Sequence, residues 1–236
     1  MLSNHDVTRP VTRYGREDSS FAFTAKRFGT PTDLDLGTRR ARAALLLVAA
    51  LPGSLYIYQG DELGLPEAEL PRGVLQDPMY FRSEGIDPGR EGCRVPLPWA
   101  APSTDLPDGG TNLGFSPPDS AAAWLPQPAQ WATLAVDVQT SDAASMLSLY
   151  RRTLELRRAE PSLVSEALHW LPSREDVLAF RRGDLLCLVN LGPDPVPLPA
   201  GAELLLASDA VGNELPGDTA AWLRLPHLST SPSPTH

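Results

Sequence analysis

The sequence predicts an α/β part followed by a small all-β part, and three observations carry that prediction. Residues 1–60 read in the order strand, helix, strand, which is the order of an α/β unit. A second amphipathic helical pattern runs through residues 142–158, with apolar residues on one face. Beyond Ala167 the apolar residues alternate with period two in five short runs, as antiparallel strands do.

Met1-Leu2-Ser3 reads as the end of a strand, with Asn4-His5-Asp6 at its carboxyl end and an Arg-rich polar loop from Arg9 to about Asp35. Thr38 is expected to cap the helix that follows, through Ala41, Leu45, Leu46 and Val48, until Pro52-Gly53 stops it. The next run, SLYIYQG from Ser54 to Gly60, is short, apolar, β-branched and aromatic, the pattern of a strand buried on both faces. From Asp61 to Ser141 the pattern dissolves into Pro, Gly and Asp; a connection that long in a compact domain is usually functional. Ser141 or Asp142 is expected to open the second helix, with Met146, Leu147, Tyr150 and Leu154 on one face. Arginines crowd its end, where cations suit the helix dipole, and Pro161 closes it. ALHWL, VLAFRRG, LLCLVNL, ELLLAS and AWLRLP are then strands, with Arg182-Gly183-Asp184 as a hairpin turn. The domain boundary falls near Ser162 to Ser165. This gives residues 1–161 with a long loop over 61–141, an antiparallel domain over 162–228, and a disordered tail over 229–236.

Composition narrows the function. A net charge of -9 with scattered basic residues disfavours nucleic acid and acidic lipid as partners. The longest apolar run, about Ala41 to Leu51, is shorter than the roughly 18 residues of a membrane span. Cys93 and Cys187 fit no metal spacing and no disulfide framework, so reduced thiols and a cytoplasmic location are expected. Lys26 is the single lysine, a usage that suggests a GC-rich bacterial genome.

An Asp beside a His at the carboxyl end of a strand is where α/β enzymes place working residues. A second strand ending in Gln59-Gly60-Asp61-Glu62 and a loop rich in Arg and Trp complete the equipment of a sugar-binding cleft. On these residues a resemblance becomes specific. NHDVTRPVTRYG resembles the fourth conserved region of the α-amylase family, glycoside hydrolase family thirteen, at the end of the seventh barrel strand. LPGSLYIYQGDELGLPE resembles its eighth strand and following loop, except that Asp61 stands where the family usually has Glu. GREGCRVPLPW resembles the Arg-rich segment of the oligosaccharide α-glucosidases, and the run from Gln76 to WLPQP at Trp124 resembles their actinobacterial branch.

The resemblance implies the C-terminal part of a (β/α)8 TIM barrel, strands seven and eight with their helices, followed by a small antiparallel β-sandwich domain. Strands one to six would precede Met1, so Met1 is not expected to start the functional gene product. The implied reaction is hydrolysis of terminal α-linked glucose from oligosaccharides with retention, which needs two carboxyl groups about 5 Å apart. In the family these follow strands four and five, so neither nucleophile nor acid/base is expected in this chain, and the chain alone is expected to be inactive. By resemblance Asp6 is the third carboxylate, a transition-state stabiliser; His5 binds a sugar hydroxyl beside it, Arg94 contacts substrate and Arg90 braces or binds it. Arg9 and Arg13 either line the cleft or form ion pairs in the barrel rim. No cofactor and no metal are implied, and the partner is an α-glucosidic oligosaccharide. Asp61 and Glu62, adjacent on an extended segment, point to opposite faces. Trp99, Trp124 and Trp131 either stack on sugar or form the core of their loop. Rival readings are a non-catalytic carbohydrate-binding accessory protein that uses the β domain, and an inert gene fragment.

Overall fold

The computed structural model describes residues 2–102, 112–117, 120–165 and 167–226. The expected tail over 229–236 lies outside them. A short helix α1, Pro10–Tyr14, follows the Asn4-His5-Asp6 segment and packs on the long helix α2, Leu34–Ala50. Gly37 permits that approach, because a Cβ there would lie 1.9 Å from the Val11 carbonyl oxygen. Asp33 caps the helix, its carboxylate accepting from the Leu36 amide at 2.9 Å, so the helix begins five residues earlier than it would if Thr38 were the cap. Asp is a strong N-cap, and Thr38 falls inside the helix it would have started.

The segment 54–58 lacks strand structure, as does the Leu2-Ser3 segment. Tyr56 is 67% exposed and Ile57 is exposed as well, so the expectation of a strand buried on both faces is corrected. Burial on two faces needs flanking strands and covering helices. Among the described residues no strand pairs with this segment, and every ladder is antiparallel.

The long connection is ordered by a core of its own. It carries α3, Pro78–Arg82, and α4, Val136–Thr140, together with several single 3-10 turns. Leu63, Leu65, Leu70, Leu75, Val95 and Trp131 form its buried cluster. The second long helix α5, Met146–Ala159, starts later than expected, because the Ser145 hydroxyl rather than Asp142 caps it by accepting from the Ser148 amide. A one-turn helix α6, Pro161–Ser165, follows; Pro161 both closes α5 and opens α6.

The remainder is a five-stranded antiparallel sheet and a two-stranded one. The strands are β1 (Leu168–Trp170), β2 (Val177–Arg182), β3 (Leu185–Asn190), β4 (Val196–Pro197), β5 (Glu203–Ala207), β6 (Glu214–Leu215) and β7 (Thr219–Arg224). The large sheet has the order β1-β2-β3-β7-β5, and β4 pairs with β6. One face of this sheet, with Phe180, Cys187, Val189 and Trp222, shares a single core with Ala41 to Ala50 of α2 and Met146 to Tyr150 of α5. The Trp222 indole donates to the Leu46 carbonyl at 3.0 Å, and Arg40 pairs with Asp218 at 2.7 Å. Helix α2 therefore fixes the Asp6 loop at one end and the sheet at the other.

Candidate active site

Asp6 sits where the segment after Ser3 meets the turn over Glu91–Cys93. The local fold is held by the Asn4 side chain, which accepts from the Asp6 amide at 2.8 Å. Arg90 Nη1 and Arg94 Nη2 both donate to Asp6 Oδ1, at 3.1 and 2.9 Å, and His5 Nε2 lies 3.4 Å from Oδ2. Arg94 Nε also donates to the His5 carbonyl at 2.8 Å. The Asp6 side chain is 46% exposed, so the carboxylate faces an open space rather than a sealed pair. Desolvation by itself would raise its pKa; the Arg90 hydrogen bond and the charges of His5, Arg90 and Arg94 outweigh it and hold the carboxyl below its ordinary value. The group is ionised at neutral pH and presents acceptor oxygens.

Asp77 is the residue sequence reasoning missed. It is buried and caps α3 by accepting from the Met79 amide at 3.0 Å. It accepts from Arg90 Nε at 2.5 Å, so Arg90 bridges two carboxylates, Asp77 on one side and Asp6 on the other. The dipeptide Asp77-Pro78, an N-cap before a proline at the first helical position, was the available signal. Beside these arginines opens a pocket of about 480 Å³ lined by Gln76, Phe115 and Trp124 among others.

Of the five expected site residues, His5, Asp6, Arg90 and Arg94 come together. Arg9 does not, and its expected role in lining a cleft is corrected: it is 0% exposed. Its Nη1 donates to the Gln59 carbonyl at 3.0 Å and its Nη2 to the Cys93 carbonyl at 2.9 Å, between the rings of Tyr58 and Trp131. Arg13 is buried too, donating to the Leu2 carbonyl at 2.8 Å. Trp131 is fully buried, whereas Trp99 and Trp124 are exposed, and the Trp124 indole N–H holds the Val74 carbonyl at 3.3 Å. Asp61 turns inward to Ser3 Oγ at 2.6 Å, and burial pushes its pKa up to about 6. Burial likewise pushes the Cys93 thiol up to about 12. Among the described residues no group of three His, Cys, Asp or Glu side chains could hold a metal, and no helix is long and apolar enough to cross a membrane.

Residues 1–166 match the model of the α-amylase catalytic domain. The chain belongs to the α-amylase family. Residues 171–222 match a second family, DUF3459, a domain of unknown function, over the antiparallel sheet. A probable alpha-glucosidase of Rhizobium meliloti (strain 1021) is 38% identical over 199 residues, 82% of this chain and 31% of that protein. The trehalose synthase/amylase TreS of Mycobacterium tuberculosis is 29% identical over 223 residues, 84% of this chain and 33% of that protein. The chain thus spans about a third of the length of these curated relatives. Among solved structures, the α-glucosyl transfer enzyme XgtA aligns with a TM-score of 0.64 at 36% identity, over 94% of this chain and 39% of that one. A trehalulose synthase MutB variant shares the fold, with a TM-score of 0.68 at 22% identity over 95% of this chain and 42% of its own. Like these α-amylase family structures, the chain joins part of a catalytic domain to an antiparallel sheet domain.

Proposed function

We propose that this chain carries the glucose-holding part of a retaining α-glucosidase acting on terminal α-linked glucose in oligosaccharides. Asp6 stabilises the transition state by accepting from sugar hydroxyls, and hydrogen bonds of that kind strengthen as the ring flattens. His5 and Arg94 bind hydroxyls beside it, and Arg90 orients the carboxylate from the Asp77 side. The observation that carries this reading is the half-open Asp6 carboxylate held from one side by two arginines, which leaves acceptor capacity facing the open space.

Neither nucleophile nor acid/base is assigned to a residue of this chain. Asp77 shares Arg90 with Asp6, but it is buried and accepts from the Met79 amide, the Arg90 amide and the Arg90 side chain, which leaves it no attacking role. The two buried, unpaired cysteines fit a reducing compartment such as the cytoplasm.

Titrating the purified protein with methyl α-D-glucoside tests the reading. Weak saturable binding is expected, and Asp6→Asn should weaken it at least about tenfold, since a charge-assisted hydrogen bond contributes roughly 1.5–3 kcal/mol. Folding should be unaffected, because the side chain is half exposed. No turnover of p-nitrophenyl α-glucoside above a blank is expected; binding that survives Asp6→Asn unchanged would overturn the assignment.

A further inference from the structure

Arg9 is a fully buried cation whose guanidinium donates to backbone carbonyls of two other segments. Its Nη1 and Nη2 reach Gln59 and Cys93, and the latter carbonyl also accepts from the Tyr58 hydroxyl at 3.0 Å. The Arg9 amide donates to Glu67 Oε2 at 2.8 Å, which fixes the backbone from which the side chain projects. Gly60, at φ 93°, makes room: a Cβ there would lie 2.5 Å from Arg9 Nη1. The nearby acidic groups are Asp61 and Glu67, whose carboxyls burial pushes up to about 6 and about 7.

Stability alone does not account for this arrangement. Replacing a buried ionic group by an apolar one of similar size is often neutral or stabilising. What an apolar residue cannot do is hold the Cys93 carbonyl at a fixed point. Cys93 ends the turn Glu91–Cys93, its thiol donates to the Arg90 carbonyl at 3.1 Å, and Arg94 follows it directly. The two arginines that flank this turn are the two that meet on Asp6 Oδ1. Arg9 itself lies three residues beyond Asp6, so it ties the loop that bears the carboxylate to the turn that bears its cations.

We propose that Arg9 is a positioning residue which, through the Cys93 carbonyl, sets Arg90 and Arg94 onto Asp6. The proposal rests on the reading of Asp6 as the glucose-holding carboxylate, but its test needs no sugar. The readout is the titration midpoint of the Asp6 carboxyl, followed by carbon NMR in the full chain. Arg9→Met removes both donors, Arg9→Lys retains the cation, and Tyr58→Phe removes the second donor to the same carbonyl without touching the buried charge. The midpoint is expected to rise by about half a unit or more in Arg9→Met as the arginines drift, by less in Tyr58→Phe, and to be partly restored in Arg9→Lys. Trp222→Phe, which loses a hydrogen bond in the other core, should lower the melting temperature and leave the Asp6 midpoint in place. Should Arg9→Met not fold, Tyr58→Phe decides, because it alone removes a donor to the Cys93 carbonyl and keeps the buried cation. An Asp6 midpoint unchanged in folded Arg9→Met, or unchanged in Tyr58→Phe where Arg9→Met does not fold, overturns the clamp. Methyl α-D-glucoside binding by the unsubstituted chain reports separately on the site reading.

Discussion

The surroundings of Asp6 and Asp61 drive the two carboxyls in opposite directions. Asp6 is held ionised by cations, whereas burial raises Asp61 from 3.8 to about 6 despite its bond to Ser3. Between about pH 4 and 6 the folded chain therefore keeps a proton that the unfolded chain has released, so the stability contributed by Asp61 falls as pH rises through that window. An amide cannot ionise. The stability of Asp61→Asn relative to the unsubstituted protein is thus expected to climb by on the order of 1–3 kcal/mol from pH 4 to pH 6.5, measured by denaturant unfolding at each pH. A flat difference would show that Asp61 is ionised in the fold. His5 and Asp6 are legible from local pattern because they are adjacent in sequence, whereas Arg94, 88 residues beyond Asp6, is legible through the family resemblance of its own segment. Neither reading of Arg9, lining a cleft or forming an ion pair in the rim, names its real partners, the carbonyls of Gln59 and Cys93, because these are distant in sequence and are not side chains at all.

At the scale of elements, helix α2 was legible from its apolar spacing, and its start was not. Asp33 rather than Thr38 caps it because the chain turns at Gly15, whose carbonyl accepts from the Asp33 amide at 2.9 Å, and that contact is tertiary. The exposed segment 54–58 is the reverse case: composition predicted a buried strand, but burial depends on neighbours that composition cannot supply. Gly37 yields a prediction against propensity. Glycine inside a helix ordinarily costs about 0.5–1 kcal/mol relative to alanine. Here the added methyl would meet the Val11 carbonyl, so Gly37→Ala is expected to destabilise by roughly 1–3 kcal/mol through overpacking. It should also push α1 away, disturbing the Asp6 loop just before it. Thermal unfolding and the amide shifts of residues 6–14 check both; a stabilised variant with unmoved shifts would refute it.

The whole molecule divides by family match near residue 166 but not by core. Phe180, Cys187, Val189 and Trp222 of the sheet are buried against α2 and α5, and Arg182 donates to the Ala50 carbonyl at 3.2 Å. The fragment 162–226 would expose that whole face to water. It is expected to lack a cooperative thermal transition and to bind a hydrophobic dye, whereas the full chain unfolds cooperatively; a sharp transition in the fragment would count against a shared core. The Trp222–Leu46 hydrogen bond also has a consequence in time. Its partners are 176 residues apart. At roughly 5–20 residues per second of synthesis, α2 leaves the ribosome some 10–35 s before the strand that covers it exists. For that interval a helix carrying Leu45, Leu46 and Ala49 on its inner face has no native cover from β7, which makes it a target for a chaperone while the chain is being made.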